Sequence, residues 1–173
     1  MKSVFCGMAL VAGFTTFADA QELGNWSLGQ SASRDGVITY SASLRSTNLI
    51  TSGSGPDYAP LYSIACKSGA DKNWQQWLEL EDAVYSRGDI ELLATVDDKR
   101  PREEIWHISS HGRLLTRENL PDIAELTRAH MLKLSWNWGW SWLWLSDEAR
   151  LELGDIEPVI FTLAKSCGIA EPE

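Results

Sequence analysis

The sequence predicts a mainly β fold: an antiparallel β-sandwich-like single domain with two short α-helices, one of them at the C-terminus. Three observations carry that expectation. Short runs rich in β-branched and aromatic residues recur between turn-forming clusters, and only two stretches show helical spacing. The third is a run of alternating tryptophans, Trp136, Trp138, Trp140, Trp142 and Trp144, whose period of two belongs to an extended strand.

Residues 1–20 have the plan of an export signal. Lys2 supplies a positive start, Val4 to Phe17 an apolar stretch, and Ala18-Asp19-Ala20 an A-x-A cleavage site. The expected mature part is a single exported β-rich domain, residues 21–173, periplasmic or secreted. The apolar stretch is short for a spanning helix, and Cys6 lies inside it instead of at a cleavage point, so a soluble protein is expected and not a lipoprotein. About 150 residues then remain, enough for one sizeable core without a second domain.

The first expected strands are Trp26 to Gln30, Val37 to Leu44 and Leu61 to Cys66; in the second, Ile38, Tyr40, Ala42 and Leu44 share a face. Residues 46–60, rich in Ser, Thr, Gly and Pro, read as a flexible connection within the domain. Further strands are expected over Trp74 to Leu80, Ile90 to Val96 and Glu104 to Ile108, the last two joined as a hairpin through Asp97-Asp98-Lys99-Arg100-Pro101. Ser109 to Gly112 reads as a turn that delivers Arg113-Leu114-Leu115. Asn119 is placed to cap a helix running to about His130, with Pro121 and Asp122 in its first turn. A second helix starts at Asp155, with Ile156, Ile160, Leu163 and Cys167 on one face.

The tryptophan run cannot be one flat strand. Leu132 to Leu145 would span about 45 Å at ~3.3 Å per residue, against ~17–20 Å for a usual strand. The expected alternative is a hairpin turning through Asn137-Trp138-Gly139, which pairs Trp136 with Trp140, Leu134 with Trp142 and Leu132 with Trp144. Each indole carries up to ~250 Å² to bury, so two or three of the five are expected in the core. The others, Trp138 and Trp140 foremost, would form an exposed contact patch for an envelope protein, a glycan or a membrane interface.

Charge narrows the partners. The chain carries a net charge of −9, and removing Lys2 and Asp19 with the leader leaves 14 bases minus 23 acids, again −9. Phosphate backbones and anionic lipids are repelled by such a chain, so nucleic acid is not an expected partner. Cys66 and Cys167 remain after processing, an even count that in an exported protein favours a disulfide. Closing a loop of about 100 residues would stabilise the fold by roughly 4–5 kcal/mol in the chain-entropy model.

No catalytic residues, metal ligands or cofactors are expected. His107 and His111 lie about 13 Å apart along a strand, too far to share an ion without a turn. No Gly-x-Ser-x-Gly, His-Glu-x-x-His, phosphate loop or calcium loop occurs. Acidic residues such as Glu79 and Glu81, which share a strand face, keep one rival open: a glycan hydrolase with two carboxylates in a cleft beside the tryptophans.

Residues 24–168 also resemble the small exported VasI family associated with type VI secretion. The resemblance is carried by Trp26, Leu61-Tyr62-Ser63-Ile64-Ala65-Cys66, Ile105-Trp106-His107-Ile108-Ser109, and Ala149-Arg150-Leu151-Glu152-Leu153-Gly154 leading to Ala164-Lys165-Ser166-Cys167-Gly168. Exported invasion-associated proteins of similar size are a neighbouring class. The run Trp136 to Leu145 is longer and far richer in tryptophan than the equivalent region of the VasI family. The resemblance implies a β-rich fold, the disulfide and a role as an accessory of the cell envelope. The functional expectation is a non-catalytic binding protein whose Trp-rich hairpin is the contact surface, the alternative being a protein that binds or hydrolyses envelope glycan.

Overall fold

The computed structural model describes residues 21–51, 55–69, 72–84, 88–118, 120, 123–137 and 146–170. The expected leader, residues 1–20, lies outside them. Ten strands form one antiparallel sheet: β1 (Gln21–Leu23), β2 (Trp26–Ala32), β3 (Ile38–Arg45), β4 (Leu61–Lys67), β5 (Trp74–Glu79), β6 (Asp89–Val96), β7 (Arg102–Ser109), β8 (Leu114–Glu118), β9 (Met131–Asn137) and β10 (Ser146–Glu152). Their spatial order is β1-β2-β3-β4-β5-β8-β7-β6-β9-β10. The mainly β, antiparallel class and the two short helices, α1 (Ile123–Leu126) and α2 (Ile156–Cys167), are as the sequence predicts. Among the described residues, no helix is long and apolar enough to cross a membrane.

The sheet curls over a single core without closing into a barrel. Alternation sets the faces: Leu44, Tyr62, Leu78 and Leu115 lie opposite one another across β3, β4, β5 and β8, and all are buried. On the far side Trp136, Leu134 and Leu132 alternate inward along β9. The two margins meet where the Trp26 Nε1–H donates to the Leu153 carbonyl at 2.8 Å.

The β10 edge is covered by the chain leaving β3. The Thr47 amide donates to the Arg150 carbonyl at 2.8 Å, the Arg150 amide donates to Asn48 Oδ1 at 2.8 Å, and Asn48 Nδ2 donates to the Glu148 carbonyl at 2.7 Å. Side-chain amide groups thus stand in for a strand, satisfying an edge that would otherwise invite another chain. The described part of residues 46–60 is accordingly tied down, with Ile50 and Tyr58 bonded in both directions.

Helix α2 packs on β3 and β4 through Val159, Ile160, Leu163 and Cys167. It ends where Gly168 takes a φ of 64° and the Ile169 amide returns to the Ala164 carbonyl at 3.0 Å. Cys66 and Cys167 are joined, with Cα atoms 6.2 Å apart.

Two elements differ from expectation. Helix α1 stops at Leu126 and does not reach His130, because the Asp97 carboxylate accepts the amides of His130 and Met131, each at 2.9 Å, and turns the chain into β9. The expected capping residues Asn119, Pro121 and Asp122 lie outside the described residues. The β9–β10 register also corrects the expected three-residue turn. Trp136 faces Asp147, Leu134 faces Ala149 and Leu132 faces Leu151, not Trp140, Trp142 and Trp144. Trp26, Trp106 and Trp136 already fill the interior, so a small partner such as Ala149 fits where a further indole would overpack.

Candidate functional site

Strand direction sorts the connections into two groups. Because every neighbour is antiparallel, β3, β5, β7 and β9 all finish at one end, where β4, β6, β8 and β10 start. We call this the loop end. Both helices and the β6–β7 turn belong to the opposite, helix end.

The helix end is knitted by satisfied charge. Glu125 on α1 accepts from Lys99 Nζ at 2.7 Å and Arg102 Nη1 at 2.9 Å, so the basic residues of the β6–β7 hairpin clamp α1. Those two cations hold the Glu125 carboxyl below its usual range, and the Met131 and His130 amides do the same for Asp97. Just inside, buried Glu104 accepts from Arg102 at 2.7 Å, Arg117 at 3.2 Å and Trp106 Nε1 at 3.1 Å. A buried carboxylate held by two guanidinium groups and an indole N–H is a structural element.

The loop end has the opposite character. Its framework is fixed by the Leu80 amide donating to the Arg113 carbonyl and the Val84 amide to the Gly112 carbonyl, both at 2.8 Å. Gly112 is required there: its φ is 86°, and a Cβ would sit 2.7 Å from the Val84 carbonyl oxygen. That staple carries Glu81 and Asp82 toward Tyr58 and Asp147. Burial is the main cause that raises the Asp147 carboxyl above its usual range, and the neighbouring Asp82 carboxylate adds to it. Burial likewise raises the Tyr58 hydroxyl, with the charges of Asp82, Asp147 and Glu81 adding to the rise. A contribution from the Asp82 backbone offsets part of that rise.

Trp136 stands beside this cluster, directly across from Asp147 on the inner face. It is 2% exposed, so it takes a core position among the five clustered tryptophans. Its environment differs from that of the other two fully buried indoles. Trp26 donates to Leu153 and Trp106 to Glu104, whereas the Trp136 Nε1–H has no partner among the described residues. A buried donor left unmade costs about 1–3 kcal/mol, which native folds seldom tolerate without a reason. Trp138, Trp140, Trp142 and Trp144 fall in the β9–β10 connection and lie outside the described residues.

The structure separates the other singled-out residues. His107 Nδ1 lies 3.1 Å from Asp89 Oδ1 on the outer face, both well exposed, and His111 occupies a 3₁₀ turn (Ser110–Gly112) with φ 60°. Among the described residues, no group of three His, Cys, Asp or Glu side chains could hold a metal ion. Asp89 and His107 border an open groove of about 660 Å³ that also touches Ile105, Thr116, Arg117 and Glu118. Its charged groups are occupied: Glu118 takes Gln75 Nε2 at 2.6 Å and Arg117 holds Glu104. Tyr58, Asp82 and Asp147 were not legible as site residues, since each stands alone in a polar stretch and only the fold brings them together.

No family model matches the chain, and no curated protein matches it. Among solved structures it is similar to the crystal structure of invasion associated protein B from Bartonella henselae, with a TM-score of 0.53 at 12% identity, over 84% of this chain and 96% of that one. The likeness lies in the fold. The name of that neighbour, an invasion associated protein, is that of the neighbouring class the sequence resemblance also brought in.

Proposed function

We propose that this chain is a non-catalytic accessory protein of the cell envelope, exported to the periplasm or beyond, that meets its partner through the loop end. The single observation that carries this reading is the place of the Trp-rich segment in the chain: the strands that flank it, β9 ending at Asn137 and β10 starting at Ser146, meet it at the loop end, away from the helices and the disulfide. Four tryptophans in an eight-residue crossing exceed what a core already holding Trp26, Trp106 and Trp136 needs. The Cys66–Cys167 bond supports an oxidising compartment. An envelope protein is the partner proposed first, and a link to type VI secretion is the finer form of this reading, resting on the VasI-like motifs. A glycan partner is the second reading, favoured by the Asp82 and Asp147 carboxylates beside Trp136.

Tryptophan emission of the protein, titrated with envelope extract, tests the reading. The proposal expects a red-shifted component that moves on addition. A wholly blue-shifted spectrum that no addition changes would remove the contact surface.

A further inference from the structure

Leu49, Leu93 and Ile105 are the exposed large hydrophobic residues among the described ones, and two of the three stand on neighbouring strands of the outer face. Leu93 on β6 is 42% exposed and Ile105 on β7 is 60% exposed. Register fixes their surroundings. Glu91 lies directly opposite Ile105, and Glu103 directly opposite Leu93. The four side chains therefore form a square on one face, with the apolar pair on one diagonal and the acidic pair on the other.

Folding gains little from this square. Its apolar pair stays in water, and two like charges on a diagonal of about 7–8 Å repel. Neither Glu91 nor Glu103 makes an ion pair among the described residues. The neighbouring bases are used elsewhere: His107 sits with Asp89, and Arg102 bonds Glu104 and Glu125. Lys133 lies opposite Thr95, one row further on. The open groove of about 660 Å³ starts at Ile105 and has Asp89 and Glu118 on its margins. Those two acids already have protein partners, yet they continue the negative border on a chain of net charge −9.

Such a surface discriminates by charge. An anion is repelled by it, and a purely apolar ligand would cover two carboxylates without a counter-charge. A lysine or arginine side chain satisfies both diagonals, because its methylene stem lies on aliphatic surface while its cationic head reaches a carboxylate. From this juxtaposition we propose that the outer face around Leu93 and Ile105 is a docking surface for a basic polypeptide segment in which lysine or arginine alternates with apolar residues. The apolar side chains cover Leu93 and Ile105 and enter the adjoining groove, and the cations face Glu91 and Glu103. This contact is separate from the loop end and stands independently of the function proposed for it.

The test is fluorescence anisotropy of a labelled peptide of alternating lysine and leucine, titrated with the full chain. Peptides alternating glutamate with leucine and lysine with serine are the controls. Wild type should bind the lysine–leucine peptide, reject the acidic one, and bind the lysine–serine one about tenfold more weakly. Ile105→Thr should weaken binding by about tenfold, and Glu91→Gln combined with Glu103→Gln by about fivefold, with melting temperatures unchanged. Glu22→Gln combined with Glu157→Gln removes the same charge from exposed positions on β1 and α2 and should leave binding as it was. If Ile105→Thr fails to fold, Leu93→Thr gives the same reading. No binding of the lysine–leucine peptide, undiminished binding by the apolar variants, or an equal loss from the Glu22 and Glu157 pair would each overturn the surface. A wild-type dimer in sedimentation that Ile105→Thr turns into a monomer, with the peptide unbound, would overturn the basic partner and assign the face to a second copy of the chain.

Discussion

At the helix end Asp97 and Glu125 are held below the usual carboxylate range, whereas at the loop end Asp147 is held above it. The former accept from amides and cations; the latter is half dehydrated beside another acid. One end uses its polar groups to hold the chain in place. The other holds a buried indole N–H, Trp136 Nε1, that has no partner among the described residues.

The sharpest break of this contrast is at the disulfide. Replacing Cys66 with Ser should cost about 4–5 kcal/mol, since the bond closes a loop across a separation of 101 residues. Chemical unfolding measures it, and envelope binding should survive wherever the variant remains folded. Trp136→Ala comes next, at about 3–5 kcal/mol from the lost core indole. Trp136→Phe separates packing from hydrogen bonding: with no partner for Nε1 to lose among the described residues, it should retain most of the stability.

Smaller effects test the electrostatics. Asp97→Ala should cost about 1 kcal/mol, as two amides lose a solvent-screened acceptor. Because its folded pKa is depressed, the stability from Asp97 is present above the unfolded value near 3.8 and is lost as pH falls through the lower folded one. Asp147 has the opposite sign. Its folded pKa lies above 3.8, so its contribution is complete below that value and is lost as pH rises through the folded pKa. Asp147→Asn should therefore raise neutral-pH stability, by less than about 1 kcal/mol given its partial exposure. Melting curves across acid pH distinguish the two signs.

Strands with one apolar face were readable, which is why β3, β4, β6 and β7 lie close to their expected spans. Strand β10 was not, because an edge strand needs few buried positions and Ser146–Glu152 supplies only Ala149 and Leu151 as apolar inward residues. The tryptophan register was misread for a related reason: alternation tells which face a residue takes, but not whether its partner is another indole or an alanine. Cys66 and Cys167 were legible because only one pairing existed. Tyr58, Asp82 and Asp147 share no motif, and they come near one another only because two connections and the start of β10 lie at one end of the sheet.

The division of labour between the ends is tested most directly by Trp138→Ala, measured for thermal stability and for retention on immobilised envelope extract. An exposed contact residue predicts an unchanged melting temperature and lost retention. Full retention, or a loss of stability on the scale of a core indole, would contradict it.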